Sequence, residues 1–141
     1  MRWEAVEDRS QFFLKLDQSF QRFDETRQHT PEDFLAHVHE IDLSPLPHLP
    51  DLCEAIGALP GRKLVYTNGS RRHAERVTEY MQVHTAFDGL FGIEDSGYHP
   101  KPSQDAYDAF CAHFDVDPAR AVLLEDLERN LAPAHAMGFA T

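Results

Sequence analysis

The chain has 141 residues, 42% hydrophobic and 26% charged, a composition typical of a soluble globular protein and a length that suits one domain burying roughly two-thirds of its unfolded surface. Its 13 Lys and Arg face 24 Asp and Glu, and the net charge of −11 repels a polyanion, so a nucleic-acid partner is not expected. No apolar run is long enough to cross a bilayer and MRWEAVEDRS lacks the apolar core of a signal peptide, so no membrane partner and a cytoplasmic address are expected.

Residues 1 to 11 show no period, because Trp3 and Val6 stand alone among charges. Between Phe12 and Phe23, the residues Phe12, Phe13, Leu16, Phe20 and Phe23 share one face at helical spacing, which predicts an amphipathic helix. HTPEDFLAHVHEI predicts a second helix, with Thr30 as cap, Pro31 at the first helical position, and Glu32 and Asp33 at the positive end of the dipole. It must stop near Asp42, since Pro45, Pro47 and Pro50 cannot continue it. The connector DLSPLPHLPDL leads to a short helix over Asp51 to Ala58, ended by Leu59, Pro60 and Gly61.

Next comes KLVYTNG, an apolar strand over Leu64, Val65 and Tyr66 that runs into Thr67, Asn68 and Gly69 and then a polar helix beginning SRRHAER. Such a junction presents the Thr67 hydroxyl, backbone N–H groups and a positive helix end to one point, where phosphate is the natural occupant; many ordinary crossovers share the pattern. The helix carries Ala74, Val77, Tyr80 and Met81 on one face. FDGLFGIEDSGYHPKP holds a short apolar piece, Leu90, Phe91 and Ile93, broken by Gly97, Pro100 and Pro102. Ser103 should cap the following helix, with Ala106, Phe110, Cys111 and Phe114 inward. Ala121 to Leu124 predict a second buried strand ending in Glu125 and Asp126, and a last helix from about Arg129 to Met137 closes at Gly138.

Strand, helix, strand and helix in alternation predict an α/β fold with a parallel sheet and helices on its faces, whose ligands sit beyond the carboxyl ends of the strands. Thr67 and Asp126 should both stand there. Lys101, between Pro100 and Pro102, can offer a cation to phosphate, or be a solvated loop residue. Glu125 and Asp126 can supply carboxylates to magnesium, or be the acidic start of a helix. The nine His are scattered, Cys53 and Cys111 form no CxxC, and neither GxGxxG nor GxxxxGK[ST] occurs, so histidine or thiol metal sites and dinucleotide or P-loop readings lack their signatures.

In order, TNG after a strand, KP further on, and ED after the next strand resemble the haloacid dehalogenase superfamily of aspartate-nucleophile phosphatases. KLVYTNGSRRHAER, FDGLFGIEDSGYHPKP and VLLEDLERNLAPAHAMG are most similar to its pyrimidine 5′-nucleotidase branch, as is DFLAHVHEIDLSPL upstream, and the resemblance covers roughly residues 31 to 141. It implies a Rossmann-like core in which Thr67, Asn68 and Gly69 bind the phosphoryl group and Lys101 neutralises it and orients the nucleophile. Asp126, with Glu125 beside it, would hold Mg2+. The implied reaction is hydrolysis of a nucleoside monophosphate, or another small phosphorylated metabolite, through an aspartyl phosphate.

The sequence departs from the family in one chemical respect: the strand ending in DxDxT, which carries the nucleophile and the general acid and base, has no counterpart in context. In FFLKLDQSF, Asp17 can take the second position, but Lys15 then stands where the nucleophile belongs, and a lysine cannot form an acyl phosphate. The same residues also suit the cap helix that follows DxDxT in the family. Residues 1–50 are therefore expected to form a reduced helical cap and connector, and residues 51–141 a core incomplete at both ends. With the family's central strand missing, the TNG and ED strands must close up, recruit residues 2 to 8, or pair with another chain, as in a homo-oligomer joined through strand edges. Two functions follow as expectations: hydrolysis with Asp8 or Asp17 at the site, or a non-catalytic module that binds phosphate or a protein.

Overall fold

The computed structural model describes residues 42–141, all within one of the two compact units into which the chain divides, Ile41–Thr141. The helices predicted over 12–23 and from Thr30 to about Asp42 lie outside the described residues, as do Asp8 and Asp17. After the connector, helix α1 (Pro50–Gly57) starts on the last proline of the series, where a missing N–H costs nothing. It rests against the short turn of 3₁₀ helix His84–Ala86.

Strand β1 (Leu64–Tyr66) forms where the apolar run predicts, and it pairs in parallel with β2 (Gly89–Phe91), which comes from the apolar piece before Gly92. Leu64 stands opposite Gly89 and Tyr66 opposite Phe91, and the ladder is closed by Asp88 N–H to the Lys63 carbonyl (2.7 Å) and Thr67 N–H to the Phe91 carbonyl (3.0 Å). Helix α2 (Arg71–Tyr80) crosses between them, capped by the Ser70 hydroxyl, which accepts the His73 N–H at 3.1 Å, and it buries Ala74 and Thr78. Gly92 is required just after β2. A Cβ there would meet the Arg71 backbone nitrogen at 2.4 Å, so the α2 entrance and the β2 exit touch at a point with no room for a side chain.

Helix α3 (Gln104–Phe114) covers the sheet with Ala106, Tyr107 and Phe110 buried, while Cys111 and Phe114 are half-buried. Ser103 occupies its N-cap position, but the hydroxyl makes no cap bond. Tyr66 stacks on Phe110 (centroids 4.6 Å, interplanar 6°) and meets Phe91 and Tyr107 edge-on, so one aromatic layer joins β1, β2 and α3. Tyr107, whose hydroxyl donates to the Asn130 carbonyl, links that layer to a second cluster with Ala134 and Phe139. Helix α4 (Glu128–Met137) supplies Ala134 and ends at Gly138 with φ 103°, the left-handed closure its sequence predicts.

The predicted buried strand over Ala121 to Leu124 is corrected. Only Val122 makes a bridge, parallel to Ala140, supported by Leu123 N–H to the Ala140 carbonyl (2.8 Å) and Ala140 N–H to the Ala121 carbonyl (3.0 Å). Ala121 and Leu123 pack on the Tyr107, Ala134 and Phe139 cluster, whereas Val122 is 68% and Leu124 84% exposed. A parallel strand is buried on both faces only when both faces are covered; here the described residues cover one. The four-residue apolar run read as doubly buried is in effect an alternating one.

The edge of β1 away from β2 has a matching character. Alternate residues of a parallel strand direct their backbone groups to opposite edges. Lys63 and Thr67 bond to β2, so the groups of Leu64 and Tyr66 face the other side, where no strand pairs among the described residues. The Tyr66 carbonyl is met instead by the Lys101 ammonium at 3.0 Å.

Candidate active site

The turn after β1 is shaped by its own side chains. Gly69 N–H donates to Thr67 Oγ1 (2.9 Å), which folds the chain back; the hydroxyl proton of Thr67 is left to donate outward. A Cβ at Gly69 would lie 3.3 Å from that same oxygen, so the turn is compact. The Asn68 carboxamide is directed across to Lys101, accepting the lysine's backbone N–H (2.8 Å) and donating to its carbonyl (3.1 Å). The Asn68 backbone N–H has no protein acceptor among the described residues and can donate to a ligand.

Lys101 is only 5% exposed. Its ammonium donates to the Tyr66 carbonyl and to Glu125 Oε2 (2.5 Å) and lies 4.6 Å from the centre of the Tyr66 ring. Two of its three N–H groups are thus committed. A lysine between prolines is here no solvated loop residue: Asn68 holds its backbone, and the strand end and Glu125 hold its tip.

Glu125 has both oxygens in use, since Oε1 also accepts the Leu127 N–H (3.3 Å). Burial alone pushes its carboxyl up, but the Lys101 ammonium and the other donors outweigh burial and hold it below the usual carboxylate range. Asp126 shifts the opposite way, raised by its hydrogen-bond contact and like charge with Glu125. It is exposed. No group of three or more His, Cys, Asp or Glu able to hold a metal occurs among the described residues. Magnesium usually takes one or two carboxylates and completes its shell with phosphate oxygens and water. Asp126, exposed and next to Glu125, is a carboxylate of the kind such a shell takes. Glu125 accepts one hydrogen bond on each oxygen, from Lys101 and from the Leu127 N–H, and keeps a second lone pair on each.

The helix entrance differs from the sequence-based expectation. Glu94 Oε2 accepts the Arg71 N–H (3.1 Å) and Ser70 the His73 N–H, so part of the positive end of α2 is already answered from within the protein. Arg71 in turn pairs with Asp95 (2.5 Å), which also accepts the Gly92 N–H (2.8 Å). Burial pushes the Asp95 carboxyl up, but Arg71 and the Gly92 N–H more than offset it, and the carboxyl lies below its ordinary value. The dense basic group Arg71, Arg72, His73 and Arg76 is therefore partly balanced beside the loop. Glu94 and Asp95 were legible only as two acids inside an apolar piece, since nothing in IEDS announces a partner more than twenty residues upstream.

Among the sequence-predicted site residues, the structure ties Asn68 to Lys101 and Lys101 to Glu125, with Thr67 and Gly69 on the adjoining turn and Asp126 beyond Glu125. The hydrolase family described as haloacid dehalogenase-like hydrolase matches residues 2–138. Over 55 residues the chain is 44% identical to enolase-phosphatase E1 of Frankia alni, a match covering 39% of this chain. The chain spans 22% of the length of that curated relative. No helix among the described residues is long and apolar enough to cross a membrane.

Proposed function

Because the chain belongs to the haloacid dehalogenase-like hydrolases, we propose that residues 42–141 form the phosphate-holding half of a phosphomonoesterase site, with a pyrimidine nucleoside monophosphate as its ligand. The observation that carries this reading is the buried lysine drawn to the end of β1 beside a hydroxyl and a free backbone N–H. Lys101 supplies a fixed positive charge, Thr67 an O–H and Asn68 an N–H, a donor set suited to the three terminal oxygens of a phosphate monoester. In this reading Asp126 would hold Mg2+, which supplies further positive charge to the phosphoryl oxygens. The pyrimidine preference rests on the likeness of the three motif stretches to that branch.

Hydrolysis also needs an attacking carboxylate. Glu125 is the carboxylate bonded to Lys101, with its other oxygen on the Leu127 N–H, and in this reading it serves as the partner of the lysine and not as the nucleophile. We therefore assign phosphate binding without turnover to residues 42–141. A second reading, in which Asp8 or Asp17 supplies the nucleophile and the chain is a working hydrolase, is favoured by the family match, which begins at residue 2 and includes both. Phosphate release from UMP, CMP and an aryl phosphate, with and without magnesium, separates the two. No release above background together with saturable binding of inorganic phosphate is expected. Magnesium-dependent release abolished by Asp126→Ala would establish the second reading, and Asp8→Asn and Asp17→Asn would then identify the nucleophile.

A further inference from the structure

The Asn68 side chain is placed where sequence position alone suggests a phosphate ligand, yet its polar atoms are spent elsewhere. We propose that Asn68 is a positioning residue for Lys101: its carboxamide grips the lysine's backbone at both polar groups and thereby aims the ammonium, while any contact of Asn68 with phosphate runs through its backbone N–H.

The geometry admits one assignment of the amide. Oδ1 lies 2.8 Å from the Lys101 N–H and Nδ2 3.1 Å from the Lys101 carbonyl. Exchanging oxygen and nitrogen would set donor against donor and acceptor against acceptor, so the network itself determines the orientation. The pair of bonds imitates one rung of a sheet at the free edge of β1, where no strand pairs among the described residues. Only a planar group with a donor and an acceptor side by side can do this. A hydroxyl lacks the reach and a carboxylate lacks the donor.

The consequence for the lysine follows from what else holds its loop. Ser96 Oγ bonds the His99 carbonyl (2.7 Å) and Ser103 N–H the Pro100 carbonyl (2.9 Å), which ties this stretch to itself and to α3. Lys101 itself is tied to the turn after β1 by the two Asn68 bonds. Without them, among the described residues, Lys101 itself bonds to the end of β1 through its own flexible side chain, whose ammonium must then locate both the Tyr66 carbonyl and Glu125 without a fixed backbone. Asn68 thus fixes in advance the position of a charge that would otherwise have to be ordered on binding.

The phosphate part of this inference rests on the reading given under Proposed function; the grip on Lys101 does not. Amide NMR on the uniformly 15N-labelled full chain tests both, with inorganic phosphate as the probe. On saturation with phosphate the Asn68 backbone N–H resonance moves and its side-chain NH2 pair stays in place. In Asn68→Ala the Lys101 amide exchanges with solvent roughly tenfold faster or more, and phosphate binds roughly tenfold more weakly. In a Lys101→Met background, Asn68→Ala weakens binding no further, because a residue that acts through the lysine has nothing left to act on. A leading shift of the Asn68 side-chain resonances, additive losses in the double variant, or unchanged Lys101 exchange would each overturn the proposal. If Asn68→Ala does not fold, the wild-type titration still decides which part of Asn68 meets phosphate. If the wild-type chain binds no phosphate, the phosphate site itself is refuted, and the exchange rate of the Lys101 amide decides the grip separately.

Discussion

Replacing Lys101 by Met removes the cation from a carboxylate whose side chain is only 10% exposed, and leaves a methionine of similar length in a lysine slot that is 6% exposed. The stem packing is largely kept, so the loss reports on charge. An unpaired buried carboxylate can escape by taking a proton, which at pH 7 means protonation about 2.7 pH units above its ordinary value, at about 1.4 kcal/mol per unit. That sets the cost of Lys101→Met near 3–4 kcal/mol at pH 7, in line with the roughly 3–5 kcal/mol usual for breaking one side of a buried pair. The sign with pH follows from the depressed carboxyl of Glu125 in the folded chain. Its pairing stabilises the protein above the ordinary Glu value and is lost as pH falls through the lower folded one. The variant should therefore approach the wild type in acid, with a difference of about 1 kcal/mol or less near pH 4, where the freed carboxyl protonates at little cost. Urea melts followed by circular dichroism at pH 7 and pH 4 measure both numbers. An equal loss at both pH values, or a loss under about 1 kcal/mol at pH 7, would refute the claim that Lys101 and Glu125 form a buried, mutually dependent pair.

The inward and outward halves of the Ala121 to Leu124 segment should separate cleanly in the same assay: Leu123→Ala, which loses contact with the Tyr107 cluster, should cost about 2–3 kcal/mol, and Leu124→Ala, 84% exposed, less than about 0.5 kcal/mol. Similar losses at both positions would mean that the exposed face is covered in solution. Gly92→Ala should destabilise the fold by about 2–4 kcal/mol although its φ of −100° is open to any residue, because the new methyl meets the Arg71 backbone nitrogen rather than a movable side chain. Gly57→Ala, with open space around it, is the control and should be neutral or slightly stabilising in thermal melts.

Several parts of this protein could be read directly from the order of its residues. The strand Leu64–Tyr66, the turn at Thr67 to Gly69, the helix after KPS and the closure at Gly138 all depend on local chemistry: an apolar run, a glycine where φ must be positive, a proline just before a helix start. Family membership was legible for the same reason, since short motifs in fixed order survive as strings. β2 was harder, because two apolar residues between Gly89 and Gly92 carry no period of their own and become a strand only by pairing with β1. The burial of Ala121 to Leu124 depends on what covers each face, and four consecutive apolar residues do not say whether one face or two will be covered.

The site divides along the same line. The residues Thr67, Asn68, Gly69, Lys101, Glu125 and Asp126 are candidates that the chain offers by residue type and by the order of its motifs. What each one does depended on partners distant in sequence: Asn68 holds the backbone of Lys101, Lys101 neutralises Glu125, and Glu94 answers the entrance of α2. A carboxamide or carboxylate has few hydrogen-bonding positions, and once folding has filled them it cannot offer them to a ligand. The sequence alone thus determined which groups are available for chemistry. Only the tertiary structure decided which of them remain unspent, because that depends on distances of about 3 Å between residues that no local pattern relates.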